Sequence, residues 1–370
     1  MEPLVLNLEA DLDAELERMP DQPAVFLLWP REGPPYLART SLLRRRLKRL
    51  LGKRAQPSRM LNLREVAVRA ECYPTASRLT SSILYYQLAR RHFPEDYVQR
   101  IRLRFPSYVK LILTNEFPRT QVTTRLSARG SLHFGPFRSR TQAERFEQDA
   151  LDLFQVRRCQ EDLVPAADHP GCIYGEMGRC LRPCQKVVTT EEYAGEVERL
   201  RSFFVTGGQA LLESIARSRE SLIADLEFEA AQRQHERYER LQQTLRDRDE
   251  LAGDVERLNG VAITASPEPG YLELRFMLGG AWLEAIDFRV AADSDAIAPL
   301  DRRLRELIAT LQPAKSSTRE RQEHLALLAR WYYSTWKDGE WLTFSTLADM
   351  PYRKFVRALS RVAGEQRSLF

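Results

Sequence analysis

The sequence predicts an α+β protein made of several domains. At 370 residues the chain is longer than most single domains. Short apolar runs bounded by turn residues predict strands, and longer stretches with apolar residues three or four positions apart predict helices. The hydrophobic fraction of 43% is enough for more than one core. No run of about 18 apolar residues occurs, so we expect no membrane-spanning helix and no membrane partner.

The N-terminal elements are predicted to be a hairpin followed by a basic helix. Residues 1–20 alternate acidic and apolar side chains, as a short amphipathic helix would. An apolar strand at 23–29, a turn rich in proline and glycine at 30–35 and a second strand beginning at Tyr36 form the hairpin. Residues 41–52 place their leucines on one helical face. The opposite face carries Arg44, Arg45 and Arg49.

The middle of the chain alternates strand and helix patterns. The predicted strands are residues 63–70 and 108–113, and the predicted helices are 79–92 and roughly 141–156. An aromatic-rich segment at 131–137 reads as a tight turn before the second helix, because it contains adjacent glycine and proline.

The C-terminal half begins with helix and continues with strands. Residues 190–258 contain no proline and have a strongly helical pattern. Strands are predicted within 260–290, where apolar residues alternate with polar ones. A polar linker at 315–318 precedes a helical tail at 319–362. The closely spaced aromatic residues of this tail are interpreted as a small core or a packing surface.

Four cysteines within one short segment predict a metal site. They are spaced C-x12-C-x7-C-x3-C, and the chain has only one other cysteine, Cys72. Four converging thiolates suit an iron–sulfur cluster or a tetrahedral zinc ion. The alternative is that they are buried and act as small hydrophobic residues. The four residues are Cys159, Cys172, Cys180 and Cys184.

The expected compartment is the cytoplasm. The first residues lack the basic region and long apolar stretch of an export signal. In a reducing compartment, clustered thiols bind metal more often than they form disulfides.

The charge of the chain is nearly balanced but unevenly distributed. The formal net charge is only +5, from 56 basic and 51 acidic residues. Local clusters of arginine can nevertheless attract a phosphate backbone. The arginines around the basic helix, namely Arg39, Arg44, Arg45, Arg46 and Arg49, are interpreted either as contacts for a phosphate backbone, as the family resemblance described below implies for DNA, or as an ordinary solvated helix face.

The cysteine segment and its flanks carry a specific pattern. An F-G-P-F turn at 134–137 is followed by Arg157-Arg158-Cys159, by Cys172-Ile173-Tyr174 and by Gly178-Arg179-Cys180-Leu181-Arg182-Pro183-Cys184. In this order of motifs the chain resembles UvrC, the incision subunit of bacterial nucleotide excision repair, over roughly residues 15–290. The resemblance implies that the four cysteines hold a [4Fe–4S] cluster; zinc is the alternative.

Two further segments extend the resemblance. Residues 24–26, 36–38 and 39–47 resemble the two short strands and basic helix of a GIY-YIG nuclease domain. Residues 226–231, Leu-Glu-Phe-Glu-Ala-Ala, resemble the UVR motif, a helical hairpin through which UvrC engages UvrB. The resemblance thus implies a UvrB-like partner, contacted by Leu226, Phe228 and Glu229.

These segments divide the chain into five predicted domains. They are a GIY-YIG-like α/β domain (15–105), a connector with the cysteine cluster (106–205), a helical UVR-like hairpin (206–258), a β-rich region (259–312) and an aromatic-rich helical tail (313–370). We expect neither the RNase H-like catalytic part of UvrC nor its helix–hairpin–helix module in this sequence.

The nuclease-like domain departs from its family where the chemistry matters. Tyr36, Arg39 and Arg46 occupy family positions for water activation and for stabilising charge on the phosphate. Phe26 replaces the first motif tyrosine and has no hydroxyl. Tyr85 stands where the family glutamate would bind the metal, which puts a Mg²⁺ site in doubt because Mg²⁺ prefers carboxylates. Glu71 lies upstream and is interpreted as a carboxylate present by chance.

The sequence therefore predicts a UvrC-like DNA repair protein that binds DNA and has an impaired or absent nuclease centre. The alternative is a single-incision endonuclease of nucleotide excision repair, in which the metal site has been rebuilt from other residues.

Overall fold

The computed structural model describes residues 3–8, 12–53, 61–290 and 299–368, and it describes side chains as far as residue 364. Helices are mixed with three four-stranded sheets whose strand pairs are all antiparallel, which confirms the α+β class. Residues 291–298, inside the predicted 259–312 domain, lie outside the described residues.

The first sheet belongs to the N-terminal region and has the order β1-β4-β2-β3. Its apolar residues alternate, so that one face packs on α1 and α2 and the other on α3. The predicted hairpin is confirmed as β2 and β3. The elements are β1 (Leu4–Asn7), α1 (Leu12–Arg18), β2 (Ala24–Pro30), β3 (Tyr36–Thr40), α2 (Leu43–Leu51), β4 (Ala67–Pro74), α3 (Arg78–His92) and α4 (Tyr97–Arg100).

Two predictions in this region need correction. The segment 1–20 is a strand followed by a helix, because β1 pairs with β4 along its whole length. The strand predicted at 63–70 begins at Ala67 instead. The backbone N–H of Arg64 donates to the side chain of Asn62 at 2.9 Å, and this local turn keeps residues 62–66 out of the sheet.

The second sheet, of order β6-β5-β7-β8, supports the middle of the chain. The predicted turn at 131–137 is wrong: this segment is a central strand with five consecutive buried residues, and it pairs with β5 and β8. The stretch after residue 190, predicted to be helical and to include a hairpin within 206–258, contains three helices. The elements are β5 (Ser107–Ile112), β6 (Arg119–Thr123), β7 (Ser131–Phe137), α5 (Arg140–Leu151), α6 (Ile173–Glu176), α7 (Thr190–Val205), α8 (Gln209–Ala224), α9 (Phe228–Asp247) and β8 (Gly253–Asp254).

The third sheet, of order β11-β10-β9-β12, joins the two C-terminal segments that the sequence separates. Strand β12 pairs with β9, and α10 and α12 cover one face of the sheet in a single core. The predicted boundary at residue 312 thus falls inside that core. The elements are β9 (Gly260–Ala265), β10 (Tyr271–Leu278), β11 (Ala281–Arg289), α10 (Leu300–Thr310), α11 (Thr318–Tyr332), β12 (Glu340–Thr343) and α12 (Tyr352–Ser368).

Helix α11 connects the two ends of the chain. One core cluster contains Leu325 and Trp331 from α11, Ile83 from α3 and Met277 from β10. The aromatic tail is therefore part of a buried interface between the nuclease-like region and the C-terminal sheet.

Candidate functional site

The two sequence-predicted residues Tyr36 and Arg46 lie together on one side of strand β3. Arg46 on α2 donates a hydrogen bond from Nη2 to the Tyr36 hydroxyl at 3.1 Å. The ring of Phe26 lies 6.3 Å from that of Tyr36, centroid to centroid, and Phe26 is fully buried. The tyrosine–arginine pair expected from the sequence is thus formed, with an apolar ring beside it.

Arg39 lies on the other side of β3 and faces Tyr85. Side chains along a strand alternate between its two faces, which separates Arg39 from Tyr36. The Arg39 guanidinium lies 5.7 Å from the centre of the Tyr85 ring and donates to the Ser82 hydroxyl at 3.3 Å. Burial raises the pKa of Tyr85, and the nearby Arg39 partly offsets this. A cation therefore lies over the ring of a neutral phenol, at the residue that the resemblance aligns with the family's metal-binding glutamate.

Carboxylates are not part of this arrangement. Within the described residues, no ion pair joins Arg39 or Arg46 to an acidic side chain. Glu71 is engaged elsewhere, since Arg69 donates to it at 2.6 Å and the Tyr73 hydroxyl at 3.4 Å. The described part of the chain also contains no group of three or more His, Cys, Asp or Glu side chains arranged to hold a metal ion. The donor set around β3 suits an anion better than Mg²⁺.

The basic face of helix α2 is only partly free for a phosphate backbone. Helix α1 packs on α2 and carries acidic residues. Arg44 donates to the backbone carbonyl of Glu17, and the side chain of Glu17 forms an ion pair with Lys48. Arg45 and Arg49 are exposed. The sequence predicted that these arginines lie on one face of the helix. It did not predict that the acidic residues of α1 would lie beside them.

The sequence analysis did not select two further arginines, Arg104 and Arg330. Arg330 lies in the last turn of α11 and donates from Nη1 to the carbonyl of Ile101 at 3.4 Å. Burial lowers the pKa of Arg330, and the charges of Arg39 and Arg104 lower it further. Arg330, Arg39 and Arg104 are all exposed, and they come from three distant segments of the chain. Nothing in the local sequence around Arg330 marks it for this position.

The four predicted metal ligands lie in the irregular segment between α5 and α7. All are free thiols; Cys180 and Cys184 are buried, and Cys172 is exposed. Burial, together with the charges of the other three thiols, raises the pKa of Cys180 to about 11, and a hydrogen bond from the backbone of Arg182 partly offsets this. The four cysteines thus belong to one short segment, although the described residues place no three of them together as a ready-made metal site.

Hydrogen-bond donors surround the thiols. The Arg157 guanidinium lies 3.4 Å from Cys159 Sγ, and the backbone N–H of Arg182 lies 3.4 Å from Cys180 Sγ. Arg157 is buried and is held by the carbonyls of Phe117 and Glu161, each at 2.8 Å. An all-sulfur donor set supported by N–H groups fits a thiolate-bound metal centre, either an iron–sulfur cluster or zinc.

The segment that resembles a partner-binding motif lies at the tip of an antiparallel hairpin. Helices α8 and α9 pack against each other and are joined at residues 225–227. Leu226 adopts a left-handed conformation with φ of 61° and is 72% exposed, and Phe228 is 63% exposed. Glu229 is also exposed. Two large apolar side chains thus project from the tip, which is unusual for a free surface.

Comparison with known proteins gives a consistent result. Residues 108–203 match the family model described as the UvrC/Cho excinuclease middle domain. UvrABC system protein C of Moorella thermoacetica is 27% identical over 271 residues, which covers 73% of this chain and 44% of that protein. The same protein of Symbiobacterium thermophilum is 30% identical over 231 residues, 60% of this chain and 35% of the relative. The chain thus spans less than half the length of these relatives.

Two other searches are negative. No solved structure matches the chain. In the described part of the chain, no helix is both long and apolar enough to cross a membrane.

Proposed function

We propose that this UvrC-like chain, whose residues 108–203 match the UvrC/Cho excinuclease middle domain, is a DNA-binding repair protein whose nuclease centre is impaired. One observation supports the proposal: the Arg39 guanidinium lies over the ring of Tyr85, the residue that the resemblance aligns with the family's metal-binding glutamate. Without that ligand a Mg²⁺ ion would lack its main protein anchor, and catalysis would lose the charge stabilisation that a metal supplies.

DNA contact is assigned to the arginines on both sides of β3. Arg46 donates a hydrogen bond to the Tyr36 hydroxyl. Its guanidinium is therefore held in a position where it would neutralise a phosphate, whether or not the DNA is cut. Guanidinium groups match phosphate geometry and keep their charge at every physiological pH. Arg45 and Arg49, exposed on α2, would extend this contact.

The cysteine segment is proposed to hold a [4Fe–4S] cluster through Cys159, Cys172, Cys180 and Cys184, with zinc as the alternative. Such a centre would cross-link an irregular segment that has little regular secondary structure of its own. Arg157 would stabilise the negative charge of the bound thiolates, because it already reaches the sulfur of Cys159.

The hairpin tip is proposed to contact a UvrB-like partner through Leu226, Phe228 and Glu229. The support is the exposure of its apolar side chains, together with the resemblance of this segment to the UVR motif. Burying two such residues in an interface would stabilise a complex by an amount on the order of a few kcal/mol.

A nicking assay on damaged duplex DNA tests the impaired nuclease. We expect the protein to bind the duplex but to leave it uncut with Mg²⁺ present, and we expect Arg46→Ala to weaken binding. Robust Mg²⁺-dependent nicking that Arg46→Ala abolishes would instead establish the alternative, a single-incision endonuclease with a rebuilt metal site.

Metal analysis of anaerobically purified protein tests the cysteine site. We expect brown protein containing iron and sulfide, and colourless protein after Cys180→Ser. Cys72→Ser is the matched control, because Cys72 is buried in the N-terminal core away from the other four thiols. If the wild-type protein is colourless and contains one zinc ion, the cysteines bind zinc and the proposed cluster is wrong.

A further inference from the structure

Arg157 is a buried arginine whose guanidinium has only neutral partners. The side chain is 2% exposed. Nε donates to the carbonyl of Phe117 and Nη1 to that of Glu161, each at 2.8 Å, and Nη1 also reaches the carbonyl of Cys159 at 3.3 Å. In the part of the chain that the structure describes, no carboxylate forms an ion pair with Arg157. Its positive charge is therefore offset only by carbonyl dipoles.

Arg275 shows how such a charge is otherwise compensated in this protein. It is the other buried arginine among the described residues, at 6% exposed, and it donates to the carboxylate of Glu273 at 3.1 Å. Removing a charge from water is costly unless an opposite charge lies close to it. Arg157 is at least as buried as Arg275 but lacks such a partner. A source of negative charge beside Arg157 would remove this difference.

The sulfur of Cys159 can supply that negative charge. Arg157 Nη1 lies 3.4 Å from Cys159 Sγ, which is within hydrogen-bonding distance of sulfur. A cysteine that binds a metal does so as a thiolate, so metal binding would place a full negative charge on this sulfur. Hydrogen bonds to ligating groups of this kind orient the ligand and adjust the properties of the metal.

The position of Arg157 does not depend on a metal. Its backbone N–H donates to the hydroxyl of Tyr193 at 3.1 Å, and that hydroxyl donates to the carbonyl of Pro118 at 2.7 Å. Tyr193 lies on α7 and is fully buried. Together with the bond to the Phe117 carbonyl, these contacts fix both the backbone and the side chain of Arg157. The guanidinium is thus already in place beside the Cys159 sulfur.

We propose that Arg157 is the counter-charge of the metal centre and that it raises the reduction potential of the bound cluster. The inference rests on the proposed cluster and specifies how the protein adjusts it. A one-electron reduction makes the cluster more negative, so a fixed positive charge that donates to a ligand sulfur stabilises the reduced state more than the oxidised one. Net charge and hydrogen bonds to the sulfurs are among the features that set such potentials.

Reductive titration of the anaerobically purified whole chain tests this role. Dithionite supplies the electron, and electron paramagnetic resonance follows the reduced cluster in wild type, Arg157→Gln and Arg157→Lys. Glutamine keeps an N–H donor but carries no charge. It should lower the equilibrium constant for reduction about tenfold, which is a fall of about 59 mV for a one-electron couple. Lysine keeps the charge and should restore most of the wild-type potential.

Arg158→Gln is the matched control. Arg158 is the next residue in the chain, and its side chain is also largely buried, but it pairs with Asp152 at 2.5 Å. Its loss should change the equilibrium constant for reduction by less than about twofold, because a charge that is already paired contributes little. If Arg157→Gln loads iron and has the same potential as wild type and Arg158→Gln, the proposal is wrong, while the proposed cluster stands.

Iron content distinguishes the other outcomes. If Arg157→Gln does not load iron, Arg157→Lys becomes the test. Full iron loading of the lysine variant would show that the centre needs the positive charge and would support the proposal. Failure of both variants to load iron would mean that the shape of the guanidinium matters rather than its charge, and would overturn it. If wild type itself contains no iron, the proposed cluster fails, and this inference fails with it.

Discussion

The side chain of Tyr85 determines the charge of the site around β3. Burial raises the pKa of its hydroxyl, so the phenol stays neutral at physiological pH. A glutamate at that position would be negative and would cancel the charge of Arg39; the tyrosine instead offers its ring face to the guanidinium. If Tyr85 occupies the position of the family glutamate, as the resemblance implies, it supplies no metal ligand and leaves the charge of Arg39 uncancelled.

His324 should make the stability of the protein depend on pH. Burial lowers its pKa to about 4 from an ordinary 6.5, and its Nδ1 accepts a hydrogen bond from the backbone N–H of Trp282 at 3.0 Å. Between these two values the unfolded chain binds the proton and the folded one does not. The contribution of His324 is therefore complete above pH 6.5 and is lost as the pH falls towards 4.

Urea unfolding of wild type and His324→Asn at several pH values measures this contribution. Asparagine can accept the same hydrogen bond but does not titrate. The stability of wild type relative to the variant should fall by about 2 kcal/mol between pH 6.5 and 5. A difference that is constant over this range would show that His324 does not titrate on unfolding. His133, whose pKa is also lowered to about 4, is present in both proteins and cancels in the comparison.

The helices after residue 190 show which features of a secondary-structure element the local sequence predicts and which it does not. Their helical character was predictable, because the stretch lacks proline and has a helical pattern. The resemblance also implies a hairpin beginning near residue 206, but the conformations that break the helices were not predictable. The first break lies at Gly207 and Gly208, both with positive φ, and the second at Leu226, a residue that seldom adopts a left-handed conformation. Packing of α8 against α9 fixes the second break, and that contact is not visible in the local pattern.

The strand β7 illustrates the opposite case. Glycine and proline at 135 and 136 normally indicate a turn. Here the segment is held between β5 and β8, and Phe134 and Phe137 are buried against α5. Tertiary burial therefore overrides a local signal, as it often does in strands.

The hairpin tip offers a prediction about an element rather than the whole fold. Phe228→Ala should weaken binding of a UvrB-like protein by roughly 5- to 30-fold, which corresponds to about 1–2 kcal/mol for an aromatic side chain buried at an interface. Its thermal unfolding midpoint should not change, because Phe228 is 63% exposed in the free protein.

Titration calorimetry with the partner measures this effect. Val164→Ala is the control, since Val164 is an apolar side chain 80% exposed in a different segment. Equal affinities for wild type and Phe228→Ala would place the partner elsewhere.

At the scale of the whole molecule, the two ends of the chain are joined by contacts that no local pattern indicates. The predicted aromatic packing surface exists, but its partner is α3, more than 200 residues away in sequence, as the bond between Tyr86 and Glu323 shows. Each tryptophan or tyrosine of the tail could be predicted to be buried. Which surface buries it depends on the arrangement of all three sheets, which only the fold provides.

Glu323 is the buried polar residue at the centre of this interface. Its substitution therefore tests how much the interface contributes to stability. The carboxylate is 1% exposed and accepts hydrogen bonds from the hydroxyls of Tyr86 and Tyr97 and from Arg319. Glu323→Ala would leave two buried hydroxyls without their acceptor, which should destabilise the protein by about 3 kcal/mol in urea unfolding. Glu306→Ala, which removes an exposed carboxylate, should cost less than about 0.5 kcal/mol.

The number of transitions in the unfolding curve shows whether the N-terminal region and the C-terminal sheet unfold together or separately. If α11 joins the N-terminal region to the C-terminal sheet in one cooperative unit, Glu323→Ala should shift a single transition, seen equally by tryptophan fluorescence and by circular dichroism. Separate transitions in the variant, with the N-terminal region unfolding at an unchanged urea concentration, would mean that the two ends are stable independently.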